Sequence, residues 1–389
     1  MKFSENELNN NNIYSVIRLT FFTALIGTPL GYFLSWYLKE QGYGMLSIGF
    51  YFTIGLAIGF LLYSLFFAKL LKRISLSAGL QLAVLFRTIY VLVFITFPNI
   101  IGAFLSQIFF RFASTTSMIS SSATIQHNAD KENLRKVSRF SLIYESLAIV
   151  IGIGLCLILI PKIGFLGIVS LFTLFIIPLI IFAKKVSDKS RFVPNKKHKA
   201  VKLNSLLKVL IVTEWLFWFV MVASASLILT FLVTERLAGS WQWLGIMYLG
   251  LYGAIAISTV LTSRFDNYNL VKTTFIGMLL ILMSSLIILF SQSLVLVLIA
   301  LIIEGIGASI WVPSKDALNW RLIEPSQRET VAGYIHGGRT FFQIIAPLAG
   351  GALATYFGIL APFWFKAGVS LFALIVYVAI ARKLNTMIN

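Results

Sequence analysis

Lys184-Lys185-Val186-Ser187-Asp188-Lys189-Ser190-Arg191-Phe192-Val193-Pro194-Asn195-Lys196-Lys197-His198-Lys199 is a polar, basic break in a chain that is otherwise almost continuously apolar. Through Lys208 the break carries nine cations (Lys184, Lys185, Lys189, Arg191, Lys196, Lys197, Lys199, Lys202 and Lys208) against Asp188, a balance of +8. It has too little apolar surface to fold alone and reads as a linker, with a short surface helix expected from Lys199 onward. On either side of it the long apolar runs number six.

Those runs lie at about 15–38, 46–68, 75–97, 99–123, 137–160, 164–183, 207–233, 243–263, 271–290, 294–317, 329–355 and 361–381. Each is long enough to cross roughly 30 Å of hydrocarbon at about 1.5 Å per residue. Lipid offers no partner to an exposed peptide group, so each is expected to be a helix. Composition agrees: 58% of the 389 residues are hydrophobic and 12% charged, too few charges to cover a soluble domain of this length. The expected fold is an all-α polytopic membrane protein. Twelve transmembrane helices form two pseudo-symmetric six-helix bundles, 1–183 and 207–389, joined by a basic cytoplasmic linker, 184–206.

Charge placement sets the orientation. Lys69, Lys72 and Arg73 follow the second run, and Lys131, Arg135, Lys136 and Arg139 follow the fourth against Asp130 and Glu132. The opposite connections hold Lys39, Glu40, Lys162, Glu235 and Arg236, a sum of +1. The basic set belongs to the cytoplasm, which puts both termini there in a multi-pass protein of the cytoplasmic (inner) membrane. The net charge of +18 therefore implies anionic lipid headgroups as partners rather than nucleic acid, for which no motif is present. The polar, acidic start, Met1 to Asn12, argues for a retained first helix rather than a cleaved signal. Cys156, the single cysteine, cannot form an intrachain disulfide and reads as packing.

The halves repeat. Trp36-Tyr37-Leu38-Lys39-Glu40-Gln41-Gly42 leads to Ile48-Gly49, and Phe231-Leu232-Val233-Thr234-Glu235-Arg236-Leu237 leads to Leu244-Gly245, at an offset of 195 to 196 residues. Parallel six-helix repeats place a binding site between them near the midplane. With this repeat, and with the stretch from Gly305 through Pro313, Glu324-Pro325, Arg328, Gly333 and Gly338 to Ala346-Pro347-Leu348-Ala349-Gly350-Gly351, the chain resembles the major facilitator superfamily of secondary transporters. The second stretch is similar to the tenth and eleventh helices of members that move drugs or other organic solutes. The family's loop after the second helix is reduced to Ala68-Lys69-Leu70-Leu71-Lys72-Arg73, whereas Ser263-Arg264-Phe265-Asp266-Asn267 keeps both signs. The Arg of its fourth-helix motif falls on Arg111, with Thr115 in place of Gly, and the Gly-rich exporter motif of its fifth helix is reduced to Gly152 and Gly154.

Charges inside the runs are the candidate substrate and proton-coupling groups, because each costs about 2.5–3.5 kcal/mol at mid-bilayer without a partner, water or a purpose. They are Arg87, Arg111, Glu145, Glu304, Arg339 and Lys366. The repeat offset relates Arg111/Glu145 to Glu304/Arg339, so two couples of exchanged sign are expected, acting either as structural ion pairs or in binding. Glu145 and Glu304 are the expected proton carriers, since a change in distance to an Arg can load or release a proton. Arg is better suited to anchoring an anion. Ser114, Thr115, Trp218, Trp311 and Gln343 are the candidate cavity-lining residues. Lys69, Lys72, Arg73, Arg264, Asp266, Lys315 and Asp316 are the candidate gates. Lys315 and Asp316, about 100° apart on a helix, are not expected to be each other's best partners.

The resulting expectation is a monomeric secondary transporter, not an enzyme, without metal or cofactor. It exports a small organic solute, anionic or amphipathic, in exchange for protons by alternating access. Proton-coupled uptake of a nutrient, peptide-like or anionic solute is the alternative. An uncoupled facilitator or receptor-like membrane protein is the alternative of another class.

Overall fold

The computed structural model describes residues 11–67, 70, 73–128, 134–186, 205–262, 269–323 and 328–388, and these are helical nearly throughout. Two compact units form, one from Met1–Leu34 and Ile54–His198, the other from Ser35–Thr53 and Lys199–Asn389.

In the first unit the helices are α1 (Asn11–Tyr32), the end of α3 (Met45–Leu62), α4 (Leu76–Thr96), α5 (Ile100–Asn128), α6 (Leu134–Phe172) and α7 (Ile176–Lys185). The second unit holds α2 (Leu34–Glu40) apart from its first residue, the start of α3, α8 (Ser205–Ala223), α9 (Ser226–Phe231), α10 (Trp241–Thr262), α11 (Leu270–Phe290), α12 (Leu294–Leu322), α13 (Arg328–Phe357) and α14 (Ala361–Ile388). Short polar caps separate runs that hydropathy alone would fuse. Asn99 Oδ1 accepts from the N–H groups of Ile101 and Gly102, each at 3.0 Å, and so starts α5 four residues after α4 ends. Ser293 Oγ does the same for α12, accepting from Leu296 N–H at 3.2 Å. A side-chain acceptor at this position satisfies one of the four N–H groups that a new helix leaves open.

Ten helical stretches among the described residues are long and apolar enough to cross a membrane. Two differences from the expected twelve have local causes. Residues 136–185 count as one 50-residue stretch, although Gly164 inside it has φ +73°, a left-handed turn that no helix carries. The α5 helix misses the count despite its 29 residues. Arg111 and the hydroxyl series from Ser114 to Ser122 make it too polar.

Each unit has its own core. In the first, Tyr63, Phe86, Phe112 and Ala113 pack together, and Ile13, Ile17 and Val137 tie α1 to the start of α6. In the second, Leu207, Ile211, Ile323, Val331 and Ile335 join α8 to α13. There Trp215 Nε1–H donates to Ile335 O at 3.0 Å, and Gly338 lies so close to the Trp215 ring that a Cβ would overlap it. Segment 35–53 packs within the second unit: Leu348 N–H donates to Thr53 Oγ1 at 3.1 Å, and Trp36 meets Trp241 at 5.4 Å between ring centroids.

Candidate functional site

In the first unit, α4 carries Arg87 into the interior, 7% exposed. Its guanidinium lies 5.6 Å from the Tyr90 ring centroid and 5.3 Å from that of Phe110, and it approaches α1 at Gly27. Nε and Nη1 are buried without a hydrogen-bond acceptor among the described residues. Arg111 on α5 is buried too, as is Thr115, while Ser114 is half-buried. Glu145, on α6, is exposed, and its charge acts on Arg87. It is the one acidic residue among the described residues of this unit, where Arg87, Arg111 and Arg139 are all buried. Arg139, which the sequence places among the loop charges, is therefore an interior group.

The second unit gathers two buried clusters. In the first cluster Lys366 Nζ on α14 donates to Glu304 Oε1 at 2.7 Å, and Ser284 Oγ on α11 donates to Glu304 Oε2 at 3.1 Å. The expected Glu304/Arg339 couple is not formed; Lys366 takes the carboxylate. Repeat arithmetic fixes position along a helix but not the direction in which a long side chain turns.

In the second cluster Lys315 Nζ donates to Glu214 Oε1 at 2.6 Å, and Asn319 Nδ2 donates to Glu214 Oε2 at 3.0 Å. Lys315 also lies 2.9 Å from Asp316 Oδ1 and 5.2 Å from the Trp311 ring centroid. Asp316 was not expected to be the best partner of Lys315, and the shorter contact is the one to Glu214; the four-carbon Lys stem reaches both acids. Arg339 stacks on Trp218, 3.5 Å from the ring centroid, and Trp218 packs against Trp311 at 5.7 Å. Trp311 is core rather than lining, 3% exposed and 4.6 Å from Phe217. Trp218 and Gln343 are half-buried. The named charges of this unit's interior cancel: Lys315, Arg339 and Lys366 against Glu214, Asp316 and Glu304.

Of the expected gating residues, Arg73 is exposed, whereas Lys315 is interior and ion-paired. Lys69, Lys72, Arg264 and Asp266 lie outside the described residues. Sequence reasoning missed Glu214, Asn319 and Ser284. An acid ten residues into the apolar α8 was the available signal for Glu214. Among the described residues no group of three or more His, Cys, Asp or Glu side chains is placed to hold a metal ion, and Cys156 is buried.

Residues 242–386 match the family model described as Major Facilitator Superfamily. Among curated proteins, "Multidrug resistance protein 2" of Bacillus subtilis (strain 168) is 29% identical over 138 residues, 34% of each chain. The match thus spans about a third of that relative's length. Solved structures align over almost the whole chain. The human organic anion transporter MFSD10 (TETRAN) covers 97% of this chain and 100% of its own, with a TM-score of 0.68 at 15% identity. The nucleoside transporter NupG covers 95% and 99%, with 0.72 at 12%. A bacterial homologue of the iron transporter ferroportin, in an outward-facing state, covers 95% and 99%, with 0.71 at 15%. Residues 242–386 are thus similar to the Major Facilitator Superfamily model, and over nearly its whole length the chain shares the fold of these solved structures.

Proposed function

We propose that the chain is a secondary active transporter that exports a small organic solute in exchange for protons. The supporting observation is Glu145: an exposed carboxylate inside a long apolar stretch, set against the buried guanidinium of Arg87. An ionised carboxylate exposed at membrane depth needs water or a partner, which is the environment of a transport path and not of lipid. In this reading a conformational change that alters the distance between Glu145 and Arg87 loads or releases the proton. Export is favoured by the name of the B. subtilis relative.

Twelve spans arise by adding α5 to the ten apolar stretches and dividing residues 136–185 at Gly164. In this reading 1–183 and 207–389 are the two repeat-related halves of the sequence, the basic 184–206 segment joins them in the cytoplasm, and both termini are cytoplasmic. Buried Arg87, whose Nε and Nη1 lack an acceptor among the described residues, favours an anionic or zwitterionic solute. If that group dominates, uptake of such a solute is the second reading.

The test is transport by the purified full-length chain in proteoliposomes, with a pool of organic anions, peptides and amphipathic drugs screened by counterflow. A hit should be driven against its gradient by an imposed pH difference. Flux that is equal with and without that difference would instead mark an uncoupled facilitator.

A further inference from the structure

Helix α7 ends in a two-part surface. Leu174, just before it, and Ile177 and Ile181 within it are 60%, 61% and 47% exposed and recur at helical spacing, so they form one outward apolar stripe. Three and four residues beyond Ile181 the stripe ends in Lys184 and Lys185, both exposed. A third cation comes from another helix. Arg18 of α1, also exposed, lies 5.3 Å from the Phe182 ring centroid, and Lys185 Nζ lies 5.4 Å from the same centroid. Phe182 is itself held by a stacked contact with Phe22 of α1, centroids 5.7 Å apart.

None of the three cations is ion-paired with a carboxylate among the described residues, and Glu145 is the one described acid of this unit. Arg18 and Lys185 are positioned by the face of an aromatic ring, which fixes a cation without consuming its N–H donors. Arg18 and Lys185, two like charges against one ring with Lys184 next in sequence, repel one another unless an anion lies among them.

We propose that Arg18, Lys184 and Lys185 form a headgroup site for an anionic phospholipid, its phosphate among the three cations and an acyl chain along Leu174, Ile177 and Ile181. A free phosphate would have no use for the apolar stripe, whereas a phospholipid needs both parts. The basic bias puts the site in the cytoplasmic leaflet, where anionic headgroups attract Lys and Arg. The site lies wholly within the first unit and does not depend on which solute is carried.

The test is native mass spectrometry of the detergent-purified full chain titrated with phosphatidylglycerol, phosphatidylcholine or inorganic phosphate. The chain should retain phosphatidylglycerol at concentrations where phosphatidylcholine leaves it bare. The triple variant R18Q/K184Q/K185Q should weaken that retention at least tenfold, while R18K/K184R/K185R keeps it. K208Q/R382Q/K383Q, which removes three exposed cations elsewhere, should leave it unchanged. Equal retention of both lipids, equal loss in the two glutamine triples, or displacement of the lipid by inorganic phosphate at matched concentration would each overturn the site. Adduct formation involves neither solute nor pH gradient, so its failure is separable from failure of the transport reading.

Discussion

Lys315 and Glu214 stand 101 positions apart in the chain and 2.6 Å apart in space, with side-chain exposures of 10% and 3%. The pair binds α12 to α8, and Asn319 Nδ2 satisfies the second carboxylate oxygen. Glu214→Ala leaves a buried ammonium with only Asp316 close to it, so stability should fall by about 3–5 kcal/mol. A Glu214→Leu/Lys315→Met double variant removes both charges and should recover most of the loss. Thermal unfolding of the detergent-solubilised protein measures both, and a double variant no more stable than the single one would refute the pairing argument.

Glu304 and Glu145 should separate cleanly. Both Glu304 oxygens already accept donors, from Lys366 and Ser284, which suits a fixed ion pair. Glu304→Gln should therefore lower the melting temperature while the surviving protein keeps pH-driven transport. Glu145→Gln should melt close to the parent but transport at the same rate with or without a pH gradient. The reverse assignment of the two phenotypes would move the proton site to the second unit.

The neighbouring glycines of α13 make a matched pair. At Gly338 a methyl group would overlap the Trp215 ring, so Gly338→Ala should cost about 1–3 kcal/mol as overpacking. Gly337 has open space at the same point, and Gly337→Ala should stabilise by up to about 1 kcal/mol through helix propensity. Unfolding midpoints of the two variants should move in opposite directions.

Lys39 and Glu235 lie 3.8 Å apart with Glu235 half exposed, at related positions of the sequence repeat. An exposed pair of this length contributes about 0–1 kcal/mol and is screened by salt. Lys39→Gln should shift the melting temperature little at low ionic strength and not measurably in molar salt. A loss that persists in molar salt would mean that Lys39 acts through its contact with the Phe231 ring, 5.8 Å from Nζ to the centroid.

Helices were legible because hydrocarbon forces the backbone into them, and the structure adds Asn99 and Ser293 as the caps that part close-set helices. Side-chain pairing was not. Arg87, Arg111, Glu145, Glu304, Arg339 and Lys366 stood out as charges in apolar runs, yet which carboxylate met which cation depended on rotation about each helix axis and on the reach of Lys. Lys366 satisfies Glu304 from 62 positions away, a separation at which no local pattern operates. The 99–123 run identified α5 as a span, while Arg111 and the hydroxyls after it kept it out of the ten apolar stretches. Glu214 was hidden by its closeness to the basic linker, where an acid looks like a loop charge.

Ser35–Thr53 belongs to the second unit although the rest of that unit begins at Lys199. A ribosome adding about 5–20 residues per second takes roughly 7 to 30 seconds to travel from one piece to the other. During that interval α2 and the start of α3 are already made and have none of their Lys199–Asn389 neighbours to pack on. Cutting the gene at the basic linker would leave this piece on the wrong fragment, so two separately made halves could complete the second unit only by meeting.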